Sequence, residues 1–184
     1  MRTQEELLLF FKIEIKDAID TLSGLSNRYK KEAFEYKPSP NKWSAIECIV
    51  HINTTNKSYL GKIKNSLTAS EEVDIIERDY KPRYLISKFI DSMKAESKMK
   101  FKSPKVFMDS YNGDFEKVIH DFFTIQNELI NLAEASGKYD LSKIKLTSPV
   151  TKLLRLQLGE AFMIIIEHQK RHLQQAKTAL KSSV

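Results

Sequence analysis

Between Leu158 and Leu180 the chain reads LGEAFMIIIEHQKRHLQQAKTAL, and its apolar residues return at helical spacing. His168 and His172 fall four apart in it, so they sit one turn apart on one side of an α-helix. On the helical wheel the pair lies in the middle of the stripe made by Leu154, Leu158, Ala161, Ile164, Ile165 and Ala179. The segment therefore demands a cover of other helices over its apolar face, and it takes two imidazoles into that contact. A buried polar ring without a partner costs ~1–3 kcal/mol. A metal ion shared by both rings meets that need. A histidine pair satisfied by hydrogen bonds inside the core meets it too, and the spacing alone leaves both open.

Three further stretches carry the same period. Thr3 and Glu6 form a T-x-x-E capping box opening a helix with Leu8, Phe11, Ile15, Ile19 and Leu22 on one face. Ser23-Gly24 supplies a stop, which gives a first helix over about 4–23. Ser44 and Glu47 form a second capping box, with Trp43 placed to staple onto Cys48. The stripe that follows is Ala45, Cys48, Ile49, Ile52, Tyr59, Leu60, Ile63 and Leu67. His51 lies on its flank with Ser44, Cys48 and Thr55, a position suited to the mouth of a cleft. Asp114 caps a third stretch with Phe115, Ile119, Phe122, Gln126, Leu129 and Ala133 on one face and Gly137 past its end. His120 is off that face and reads as a surface residue. Pro82 opens a shorter helix bearing Leu85, Ile86, Phe89, Ile90 and Met93, while 24–43, 68–80, 97–113 and 138–150 read as loops. The last helix is expected to begin near Val150, after Ser148-Pro149. The fold class is thus all-α: a four-helix bundle with a short additional helix in the crossover between the second and third long helices, one domain over 1–184. The connections are long enough to cross the bundle, so up-down-up-down order is not required.

Composition narrows the function classes. The net charge of +6 is spread along the chain. Its densest run, Lys94, Lys98, Lys100, Lys102 and Lys105 around Glu96, reads as a solvated connection, because phosphate-binding faces favour arginine and interleaved aromatics. Nucleic acid is the least supported partner. The single cysteine, Cys48, rules out an internal disulfide and fits a reducing, cytoplasmic setting. The apolar runs Leu7–Phe11 and Ala161–Ile166 are too short for a signal core or a membrane span.

Taken in order, Lys42-Trp43-Ser44-Ala45-Ile46-Glu47-Cys48-Ile49-Val50-His51 and Glu167-His168-Gln169-Lys170-Arg171-His172-Leu173-Gln174-Gln175 resemble the DinB/YfiT-like superfamily. The elements are a Trp-Ser pair opening a helix, a histidine eight residues after that Trp, and H-x3-H followed by Leu-x-Gln. The resemblance covers nearly the whole chain. It implies a four-helix bundle, often a homodimer, whose members bind a divalent metal through three histidines. Carried over by position, these are His51, His168 and His172. It also implies thiol transferases, hydrolases or isomerases acting on small molecules, beside members without known activity.

Three neutral imidazoles leave a first-row metal with open positions, the ligand count of a catalytic rather than a structural site. Zinc or nickel is expected first, and iron or manganese also fits. Binding is expected to weaken as pH falls through roughly 6.5, where imidazoles take up protons. Cys48 and Thr55, each near one turn from His51, and Gln157 and Gln175, which share the direction of His168 and His172, are the candidate pocket or supporting residues. Glu47 is committed to its cap, and Glu160 and Glu167 point away from the pair. With no acid or base to name, conjugation of a low-molecular-weight thiol to an electrophile stands ahead of hydrolysis. A metal-binding stress-response module without turnover is the alternative.

Overall fold

The computed structural model describes residues 2–73, 78–97, 107 and 110–183. In chain order its elements are β1 (Arg2–Thr3), α1 (Gln4–Arg28), α2 (Lys31–Glu35), α3 (Ala45–Thr68), β2 (Asp79–Tyr80), α4 (Tyr84–Met93), α5 (Phe115–Ser136), β3 (Lys145–Thr147), β4 (Arg155–Gln157) and α6 (Leu158–Lys181). The fold is all-α apart from two short antiparallel pairs, β1 with β2 and β3 with β4. The four long helices form the bundle: α1 and α3 each pack on both α5 and α6.

Side-chain pairs fix the directions of these helices. Lys57 meets Asp121 and Lys64 meets Glu128, so α3 and α5 run parallel. Phe11 stacks near Phe162 at 4.5 Å and Lys170 reaches Glu14, so α1 and α6 run parallel. Trp43 lies by His172, and His51 by His168, so α3 and α6 are antiparallel. Two parallel neighbours in sequence need a long return, and residues 69–114 provide it, with α4 lying on α6.

Both expected capping boxes are present, Thr3 with Glu6 and Ser44 with Glu47. Asp114 caps α5 through the Lys117 N–H. The first helix does not stop at Ser23-Gly24. A mid-helix glycine costs only ~1 kcal/mol, and the continuation packs Leu25 and, just past the helix, Tyr29 against the core that holds Leu22. The loop expected over 24–43 contains α2, whose Phe34 is fully buried against Phe115.

The last helix starts at Leu158 rather than near Val150. Lys145-Leu146-Thr147 and Arg155-Leu156-Gln157 alternate polar and apolar residues, and they form a hairpin that buries Leu146 and Leu156. Leu154 belongs to that hairpin, not to the helical stripe: its carbonyl accepts the Ser148 N–H. Trp43 is only partly buried. Most of the loop expected over 97–113, with its lysine run, lies outside the described residues.

Charge locks the crossover to α6. Glu160 has no exposed surface and accepts hydrogen bonds from Arg83 N, Nε and Nη2 and from the Gln157 N–H. Burial alone would raise its carboxyl; the Arg83 guanidinium and the two backbone donors overcome this and hold it below the usual range. Beside it the ring of Tyr80 lies flat on Gly159, where an added Cβ would stand 2.3 Å from the ring. Gly61 has open space around the same position. Alanine at a helical glycine gains up to ~1 kcal/mol, whereas overpacking a filled site costs ~1–3 kcal/mol. Gly159→Ala is therefore expected to lower the melting temperature by several degrees, while Gly61→Ala leaves it unchanged or raises it. Thermal unfolding of the two variants checks the sign at each site.

Candidate metal centre

The Ser44–Glu47 capping box sets where α3 begins and so places His51 in its second turn. The carboxylate that caps is also held by Lys37 at 2.8 Å, so Glu47 is occupied away from the histidines. On α6, His168 and His172 face α3 one turn apart. The ring centroids of His51, His168 and His172 are 4.4–5.0 Å from one another. One nitrogen of each lies within 4.8 Å of the other two. Among the described residues this is the group of histidine, cysteine and acidic side chains whose spacing suits a metal ion.

Hydrogen bonds assign the nitrogens. His51 Nδ1 is 3.0 Å from the Phe107 carbonyl, and His172 Nδ1 is 2.8 Å from Gln175 Oε1. Both partners are acceptors, so each Nδ1 carries the proton and each Nε2 presents a lone pair. That is the outer support usual for ligating histidines. His51 Nε2 and His168 Nε2 stand 3.1 Å apart, while His168 Nδ1 is buried without a partner among the described residues. Two ligands on a tetrahedral zinc with bonds of 2.0–2.1 Å are about 3.3 Å apart, so the observed separation needs little adjustment. The donor set fits a borderline divalent ion.

Burial controls protonation. Burial lowers the His51 imidazole below its ordinary value, against the raising effect of the Phe107 carbonyl. His168 is held well below its ordinary value by burial first, then by the His172, His51 and Arg171 charges. Burial and the His51 charge push His172 down to about 3, despite the opposing bond from Gln175. All three rings are neutral at pH 7, the state that ligates.

Trp43 walls one side, its indole 4.9 Å from the His51 ring and stacked on His172 at 5.6 Å and 29°. Of the other sequence-derived candidates, Gln175 is at the site. Thr55 is buried one turn past His51, with no partner for its Oγ1 among the described residues. Cys48 is in the core, and burial, then the Glu47 charge, push its thiol up to about 12. Gln157 is not at the site: eleven residues before His168, about 16 Å along the axis, it accepts from Tyr80 Oη at the start of α6. A shared wheel direction does not bring two residues together when about three turns of helix separate them. Glu160 and Glu167 point elsewhere, as their wheel positions indicated, and His120 is exposed. Sequence reasoning missed the Phe107 carbonyl, a backbone atom with no sequence signal, and the facing role of Trp43.

The depressed values move the expected pH dependence. Three independent imidazoles titrating near 6.5 would lose roughly sixfold in metal affinity between pH 7.5 and 6.5. Rings held neutral by the fold lose little over that range, so the decline is expected below pH 6; chelator competition at pH 7.5, 6.5 and 5.5 measures it. Linkage gives the metal-free protein the same direction. Unfolded imidazoles bind protons from about 6.5 downward and the folded ones do not, so stability is lost as pH falls from there toward the folded values. Its melting temperature should drop between pH 7 and 5, with a shallower slope in His172→Phe.

The DinB superfamily profile matches residues 14–176. Among curated proteins and among solved structures, none matches the chain. The match spans all four long helices and all three histidines, on the geometry just described. The chain belongs to the DinB superfamily.

Proposed function

We propose that this protein holds one divalent metal ion, zinc or nickel in the first place, between His51, His168 and His172, and uses the site to join a small thiol to an electrophile. The observation that carries the reading is the convergence of three neutral imidazoles, two of them with the outer nitrogen tied to an acceptor. When bound, an ion held only by neutral ligands keeps its full charge and favours the deprotonated form of a thiol or water at its open positions.

The chain's own residues do the rest. Phe107 and Gln175 fix the planes of His51 and His172, so the Nε2 lone pairs stay aimed at one point. Trp43 covers the His51–His172 side and gives an apolar wall against which an electrophile can lie. Cys48 stays protonated and buried, so the attacking sulfur comes from a free thiol rather than from the chain. That sulfur forms the new bond to carbon as the leaving group departs with its electron pair. The thiol proton passes to solvent, since Glu47 is engaged by Ser44 and Lys37.

Elemental analysis should return one divalent ion per chain, lost in His168→Ala. Turnover of small thiols with an activated halide or epoxide should vanish on chelation and in His172→Ala. If every thiol pairing runs at the His172→Ala rate while an activated ester is cleaved, the site is a hydrolase. If neither reaction exceeds that rate, the protein is a metal-binding module without turnover.

A further inference from the structure

Gln169 follows His168 directly and is almost fully buried. Its Oε1 accepts from Asn56 Nδ2 at 2.7 Å and from Gln126 Nε2 at 2.9 Å. Asn56 and Gln126 have no exposed surface. The three amides come from α6, α3 and α5, so a single oxygen ties three helices at one level of the bundle.

Such a layer is a poor device for stability. Replacing all partners of a buried hydrogen bond by apolar groups of like shape is near neutral or favourable. Here Asn56 Oδ1 and Gln126 Oε1 also lack partners among the described residues. What the layer supplies is direction. Turning α6 by one residue is a rotation of 100°, and sliding it by one residue is a shift of ~1.5 Å. Either move pulls Gln169 Oε1 away from both donors, because these reach it from two different helices. The same move carries His168 from His51: the amide contact Asn56–Gln169 and the imidazole contact His51–His168 lie on one antiparallel seam, one residue apart on α6. Apolar side chains on that seam would accept several rotations; two hydrogen bonds to one atom accept one. Buried polar groups that fix register in this way are known from helical assemblies.

We infer that Asn56, Gln126 and Gln169 are positioning residues of the histidine site, holding α6 in the rotation that sets His168 and His172 against His51. The use of this device rests on the metal reading above; its geometry does not.

The test compares the parent with the triple variant Asn56→Leu/Gln126→Met/Gln169→Met, which removes every amide and leaves no donor stranded. Metal-free protein is read by the nuclear Overhauser contact between the His51 and His168 rings and by the near-ultraviolet circular dichroism of Trp43, the single tryptophan. Cobalt(II) affinity is read by chelator competition. The expected result is cooperative melting at or above the parent temperature, loss of the ring contact and the Trp43 band, and a cobalt affinity lower by about tenfold or more. A triple variant that keeps the ring contact and the Trp43 band overturns the inference, whatever its melting temperature. Should the triple variant not fold, Gln126→Met keeps the question decidable. It removes one donor and should weaken the ring contact, and an unchanged contact would again overturn the inference. A parent that takes up no cobalt defeats the metal reading, while the metal-free measurements still decide this one.

Discussion

The antiparallel contact of α3 on α6 sets the chemical state of everything along it. Removing an imidazole from water penalises its charged form, and this seam buries His51 and half-buries His168 and His172. Burial is the larger cause of the fall in the two rings on α6, and the charges of neighbouring rings add to it. The neutral lone pairs at the site are thus a product of helix packing and need no nearby acid or base. Loosen the seam and the rings rehydrate, protonate near their ordinary value and repel one another. Packing and ligand competence are one property here.

The two ends of α6 treat polar groups differently. At its start the charge of Glu160 is buried, but four donors saturate it and the Tyr80 ring closes over Gly159. Around the histidines, His168 Nδ1, Thr55 Oγ1, Asn56 Oδ1 and Gln126 Oε1 are all buried without a partner among the described residues. Each such atom costs ~1–3 kcal/mol. The saturated end fixes the helix; the unsaturated end is where the bundle remains able to accept something.

Local chemistry was legible in the sequence and remote chemistry was not. The pairs Thr3/Glu6 and Ser44/Glu47 announce helix starts because capping acts over three residues. His168 and His172 announce a shared face because i and i+4 do. Nothing local joins His51 to them across 117 residues, and that link came from the family resemblance. The hairpin was misread because Leu154 and Leu158 satisfy a helical step as well as Leu146 and Leu156 satisfy a strand alternation. That ambiguity is inherent in short apolar runs. The five-residue α2 is too short to show a period. Gln126 was visible as a lone amide in an apolar stripe, but its partners lie on two other helices.

The long return between α3 and α5 gains a purpose from the same geometry. α3 is 24 residues long, about 36 Å, and α5 runs parallel beside it with Val118 level with Asn53. The chain leaving Thr68 must therefore travel back along the bundle to the level where α3 began, which is the level of His51. Phe107, eight residues before Phe115 starts α5, arrives there with its carbonyl on His51 Nδ1. An up-down-up-down chain would join α3 to its neighbour by a short turn at the far end and bring no backbone to this place. The parallel arrangement of α3 and α5 is thus what makes a backbone acceptor available to orient His51, the one histidine of the cluster that does not lie on α6.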